Sequence, residues 1–200
     1  MRKSLTCVLM MTLLLTGCQG KDAGRVAEEK LLAIRGQYLE MTGCSGHAQL
    51  RADYGQRVYD YGLDFSWEKE GETRLTLTSP ENVAGTVARI AKGETALEFE
   101  GVVLATGPLS GEGVTPVGVL PALLTAAREG FVADCSLEGE PPLLRALCRD
   151  PEKSPGTGVE TELWFLPDTG ALQRAELSEN GRTVLQCTFT EFVLEGPKEG

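Results

Sequence analysis

One stretch constrains the fold more than any other. Between Arg57 and Glu68, the side chains of Tyr59, Tyr61, Leu63, Phe65 and Trp67 alternate with Asp60, Asp64, Ser66 and Glu68. A period of two puts the first set on one face of a strand and the second set on the other. Slipping the register by one residue would turn all five large apolar side chains into water, so the strand must have one covered face and one wet face. That is the pattern of an antiparallel sheet packed on one side, not of a parallel sheet buried on both.

The same period recurs along most of the chain. In residues 45–54, Gly46, Ala48, Leu50, Ala52 and Tyr54 share a face, opposite Ser45, His47, Gln49, Arg51 and Asp53. Gly55-Gln56 then turns the chain into the next strand, making a long hairpin. Further strands are expected at 73–78, 83–90, 94–100 and 102–106, separated by Lys92-Gly93 and Glu100-Gly101. Residues 131–138 alternate with Phe131, Ala133, Cys135 and Leu137 on one face, and 143–149 reads as their partner. The last third is a meander, 159–166, 171–178 and 183–194, turning at Pro167-Asp168-Thr169-Gly170 and at Asn180-Gly181. Asn-Gly between alternating runs is a strong hairpin signal.

Two segments break the alternation. In residues 22–41, Val26, Leu31, Ile34, Tyr38 and Met41 recur at helical spacing and Gly43 follows. In 117–129, Leu120, Leu123, Leu124 and Ala127 do the same and Gly130 ends the run. No internal repeat or linker divides the chain. The expected architecture is one α+β domain, 26–195, in which a large curved antiparallel sheet wraps two or three helices.

Composition narrows the function. With 42% hydrophobic and 24% charged residues the chain has apolar material for a core. Its net charge of −10 repels phosphate backbones, so nucleic acid is excluded as a partner. His47, the sole histidine, rules out two-histidine metal sites; it falls on the polar face and reads as solvent-facing. Asp60 and Asp64 share a strand face about 13 Å apart, too far for paired-carboxylate chemistry. Glu68, Glu70 and Glu72 are loop acids, at best weak calcium ligands. Residues 107–113 (GPLSGEG) lack the Gly-Lys-Ser/Thr of a phosphate-binding loop and fail GxGxxG. No cofactor, resident metal or catalytic group is expected.

The chain opens with Arg2 and Lys3, then an apolar run to Leu15 that ends in Leu15-Thr16-Gly17-Cys18. A basic start followed by about 7–15 apolar residues is a secretory signal, too short to span a bilayer. Small residues before Cys18 suit a signal peptidase, and the thiol can take a diacylglycerol. The reading is a signal over 1–17, a lipidated Cys18 and a polar tether over 18–25, anchored to an extracytoplasmic membrane face. The processed chain carries 17 basic against 29 acidic side chains, a formal −12, so acyl chains rather than basic residues must hold it there.

Four cysteines remain in the domain: Cys44, Cys135, Cys148 and Cys187. An exported chain with an even count allows three disulfide pairings. Strand pairing of 131–138 with 143–149 favours Cys135–Cys148 and leaves Cys44–Cys187; four free buried thiols are the alternative.

A stretch of the closing meander carries a family resemblance. Glu162-Leu163-Trp164-Phe165-Leu166-Pro167-Asp168-Thr169-Gly170, then Arg174-Ala175-Glu176 and Phe189-Thr190-Glu191-Phe192, resemble the closing strands of the LolA/LolB lipoprotein-carrier superfamily. Thr78-Ser79-Pro80 resembles that family's proline-ended third strand. The order of elements over 26–194 is similar as well. The resemblance implies a half-open sheet over helices with an apolar cavity between them. Its lining is expected to include Tyr59, Tyr61, Leu63, Phe65, Trp67, Leu75, Leu77, Leu97, Phe99, Leu120 and Leu124. It implies a non-enzymatic lipoprotein that binds lipid, acyl ligands or lipoproteins. The superfamily also includes germination lipoproteins of the GerS type, which bind a protein, so an interaction module holding a cell-wall or spore-envelope enzyme is the alternative.

Overall fold

The computed structural model describes residues 19–107 and 114–197. The signal run and Cys18 lie outside the described residues. Two helices, α1 (Gln19–Glu40) and α2 (Val119–Glu129), accompany eleven strands. The first six strands are β1 (Gly43–Asp53), β2 (Val58–Glu68), β3 (Thr73–Ser79), β4 (Val87–Ala91), β5 (Glu94–Phe99) and β6 (Val102–Gly107). After α2 come β7 (Val132–Glu138), β8 (Leu143–Arg149), β9 (Val159–Phe165), β10 (Leu172–Glu179) and β11 (Arg182–Glu195).

All eleven strands form one sheet in the order β6-β5-β4-β3-β2-β1-β11-β10-β9-β8-β7. Each neighbouring pair is antiparallel. The sheet is therefore two meanders, β1–β6 and β7–β11, sewn together at its centre by the pairing of β1 with β11. This is the expected α+β architecture, one large antiparallel sheet with helices on one face. The alternation resolves into faces as expected: Ala48, Leu50 and Ala52 are buried and His47, Gln49 and Arg51 are exposed.

Both helices lie on the inner face. The buried stripe of α1 is Ala27, Leu31, Ile34 and Tyr38, spaced four, three and four apart. Val26, expected in that stripe, is exposed because Ala27 holds the correct angular position. Tyr38 is fully buried, and its hydroxyl donates to the carbonyl of Gly170, 3.1 Å away. Gly170 sits at a φ of +73° in the turn after β9 and comes close to the side chain of Gln37. Arg35 of α1 donates to the carbonyls of Ala127 and Gly130. A cation on the final carbonyls of α2 satisfies them and opposes the helix dipole.

The structure corrects several expectations. Residues 81–85 are a turn, and β4 starts only at Val87. The N–H groups of Val83 and Ala84 both return to the carbonyl of Pro80, and Thr86 Oγ1 donates to the carbonyl of Val83. Those local bonds compete with the ladder. The helix begins at Gln19, so the stretch read as a tether forms the opening turns of α1. On β7 the ladder with β8 shifts between Val132 and Asp134. This bulge leaves Ala133 and Phe131 exposed and turns Val132, Cys135 and Leu137 toward the core. Counted from the Glu138–Leu143 pair that closes the hairpin, Cys135 faces Ala146; beyond the bulge Cys148 faces Val132, and no bond joins them. Cys44 faces Trp67 and Leu194, whereas Cys187 faces Leu50 and Ala175. Six residues along β1 separate these positions, about 20 Å at ~3.3 Å per residue, far beyond disulfide reach. All four cysteines are free thiols.

Candidate functional site

The two helices cover the inner face unevenly. The principal contacts of α1 are with β7, β8 and α2, and those of α2 with α1 and β9. Val119, Leu120 and Leu123 of α2 reach Ala48, Leu63, Phe65 and Phe189 near the centre. Beyond that, over β3 to β5, the residues ahead of α2 are the roof. There an apolar cavity of about 300 Å³ opens between the sheet and the chain at Pro116 and Val117.

Its floor is built by period-two placement. Leu50 on β1, Tyr61 and Leu63 on β2, Leu75 and Leu77 on β3, Ala88 on β4 and Leu97 on β5 all turn inward. Register carries this across the sheet, since Leu63 faces Leu77, Leu75 faces Ala88 and Ala88 faces Leu97. Val83 and Thr86 close the side. The Thr86 hydroxyl is already spent on Val83, and no charged side chain lines the space. Tyr61 stacks on Tyr59 at 6.1 Å between ring centroids, and Tyr59 meets Tyr54 at 6.5 Å. The Tyr54 hydroxyl donates to the carbonyl of Val114 at 3.4 Å, joining this tyrosine row to the chain that leads into α2.

The expected lining residues divide into three groups. Tyr61, Leu63, Leu75, Leu77 and Leu97 line the cavity. Phe65, Leu120 and Leu124 are core instead. Phe65 packs on Phe189 and Phe192 at 5.6 and 5.5 Å, inside the solid part of the core. Trp67 is half-buried under the guanidinium of Arg128, 5.6 Å from its ring centre. Tyr59 and Phe99 lie at the strand ends, 37% and 41% exposed, outside the lining. Leu50 and Ala88 were legible from alternation but small or peripheral in the pattern. Pro116 and Val117 carry no periodic signal at all.

The outer face holds the charged pairs. His47 Nδ1 lies 2.5 Å from Asp64 Oδ1, and Nε2 lies 3.5 Å from Glu191 Oε2. The two carboxylates engage opposite sides of the ring, so the three groups do not converge on one point. Arg51 Nη1 is 3.4 Å from Asp60, and Arg89 reaches Glu72 and Glu98 at 3.1 and 3.4 Å. Among the described residues no group of three or more His, Cys, Asp or Glu is arranged to hold a metal. What the inner arrangement can do is bury an apolar ligand.

No family model matches the chain, and no curated protein matches it. Solved structures do. An uncharacterized conserved protein from Thermus thermophilus is 11% identical, with a TM-score of 0.50 over 86% of this chain and 90% of that one. A putative outer membrane lipoprotein-sorting protein domain from Vibrio parahaemolyticus is 8% identical, with a TM-score of 0.47 over 86% and 95%. A LolA superfamily protein from Nitrosomonas europaea is 12% identical, with a TM-score of 0.41 over 86% and 94%. At such identities the likeness is one of fold.

Proposed function

We propose that this protein is an exported, lipid-anchored bacterial envelope lipoprotein that takes one acyl chain into its cavity and performs no chemistry on it. The carrying observation is the apolar cavity of about 300 Å³ with no charged side chain in its wall. That volume sits at the low end of ligand pockets. An apolar cavity of about 150 Å³ accepts benzene, so twice that suits a single alkyl segment of roughly a dozen carbons. Each methylene moved out of water contributes about 0.8 kcal/mol, and the cost of ordering the chain offsets a large share. Binding of this kind is reversible, as a carrier or receiver of acyl groups requires. The signal-like start and Cys18 support delivery to a membrane face, where two or more acyl chains on the anchor would hold it stably.

The test is to extract the full chain in detergent, strip it, and titrate a fluorescent fatty acid of about twelve carbons. Saturable uptake is expected, and Leu77→Asp abolishes it, because a charge in an apolar wall without a partner is costly. No bound lipid by mass spectrometry, together with no saturable uptake, refutes the proposal. A second reading, a module that docks a partner protein, is favoured by a different surface.

A further inference from the structure

Among the described residues the sheet ends in two edge strands, β7 and β6, and only one of them is guarded. On β7 the bulge at Ala133, the charges of Asp134 and Glu138, and the covering helix α1 discourage pairing. On the opposite edge β6 reads Val-Val-Leu-Ala-Thr-Gly, without charge or proline. Val102, Val103 and Leu104 are 70%, 63% and 60% exposed, so apolar side chains stand free on both faces of this strand. Among the described residues no strand pairs with its far side.

The turn before β6 decides which backbone groups are free. Glu100 and Gly101 have φ of 48° and 80°, a two-residue turn of the primed type. Such a turn closes on a hydrogen-bonded pair, here Phe99 and Val102. Bonding alternates along an antiparallel ladder, so Leu104 bonds back to Leu97, and Val103 and Ala105 direct N–H and C=O outward. Charge is lopsided in the same place. From Gly93 to Gly107 there is no Lys, Arg or Asp, but Glu94, Glu98 and Glu100. Glu98 is held by Arg89. Glu100 stands at one end of β6, and Glu94, beside the Thr95–Gly107 pair, stands at the other; neither has an ion-pair partner among the described residues.

From these features we infer that β6 is a docking edge for an extended segment of a partner protein, apolar in its middle and basic at both ends, which joins the sheet as a twelfth strand. Main-chain bonds to Val103 and Ala105 supply the attachment, and Glu94 and Glu100 select the basic ends. The segment is about six residues, or ~20 Å, long. This inference does not rest on the acyl-binding reading, because the outward groups of Val103 point away from the cavity.

The probe is a fluorescein-labelled peptide, Lys-Val-Thr-Val-Thr-Val-Lys, titrated onto the full chain in detergent by anisotropy. Saturable binding is expected, with a Glu-ended version weaker by about tenfold or more. Hydrogen exchange should show the Val103 and Ala105 amides open in the free protein and protected with peptide. Val103→Pro removes an outward N–H that no ladder bond uses, a position where an edge strand tolerates proline. It should abolish peptide binding while fatty-acid uptake and the melting temperature stay within error. Val103→Lys, which keeps the backbone intact and repels the basic probe, should weaken binding by about tenfold and serves if the proline variant misfolds. Undiminished binding by Val103→Lys overturns the inference. So does protection of both amides without peptide, which would put another part of this chain on the edge. A dimer that Val103→Lys dissolves also overturns it, because a second copy would then be the occupant.

Discussion

Burial pushes the thiols of Cys44 and Cys187 up to about 12 and that of Cys135 up to about 11, loss of hydration being the largest cause in each. A cysteine in an unfolded chain ionises near pH ~8.5. Between the two values the folded protein retains protons that the unfolded chain has released, so stability falls as pH rises. The contribution is whole below about pH 8.5 and drains away toward pH 12, at up to about 1.4 kcal/mol per pH unit for each thiol. Urea unfolding under reducing conditions should therefore give a midpoint that is level near neutrality and declines above about pH 9. Cys187→Ala should lower that slope by about a quarter to a third, because Cys44, Cys135 and Cys148 are raised by burial as well. An unchanged slope counts against the assignment. The sequence gives the parity of these cysteines but not their partners. The loop 139–142 pairs Glu138 with Leu143, and counting back from there sets Cys135 against Ala146, two residues short of Cys148; the bulge at Ala133 then gives Cys148 to Val132, so the pairing of Cys135 with Cys148 fails in register.

Strand β2 shows how one face of one element serves two purposes. Its inward residues pass from cavity wall at Tyr61 and Leu63 to solid core at Phe65. Phe65→Ala should cost about 3–5 kcal/mol, measured by denaturant unfolding, because it hollows the cluster with Phe189 and Phe192. The folded fraction should still take up fatty acid. If stability is unmoved and uptake is lost, Phe65 belongs to the cavity after all. Alternation made the shared face of this strand legible. It could not say where along the face the covering helix ends, because that depends on where Val119 begins α2 and on which strands α2 crosses. The same limit hid Pro116 and Val117, whose role comes from tertiary position alone. Elements with strong periodicity, such as α1 and the closing meander, were readable nearly to their ends, whereas 83–86 was lost to side-chain and turn bonds that mimic a strand in composition.

On the scale of the molecule the proposed anchor and the acid composition set opposing demands. Under that proposal a processed chain of formal charge −12 would be repelled by anionic headgroups, and retention at the membrane would fall wholly to Cys18. Cys18→Ser should abolish metabolic labelling by a radioactive fatty acid and release the protein or leave its signal uncut; a mutant labelled as strongly as the parent rules the anchor out. The central seam has a consequence of another kind. Residues 43–53 pair with 182–195, and the first helix finds its resting place against strands and a turn made from 132 onward. Until the last strand has been synthesised, Leu50, Ala52 and Tyr38 have no completed surroundings, and contacts this distant in sequence form slowly. A growing chain consequently stays open along this seam, and it closes only when β11, residues 182–195, is added beside β1.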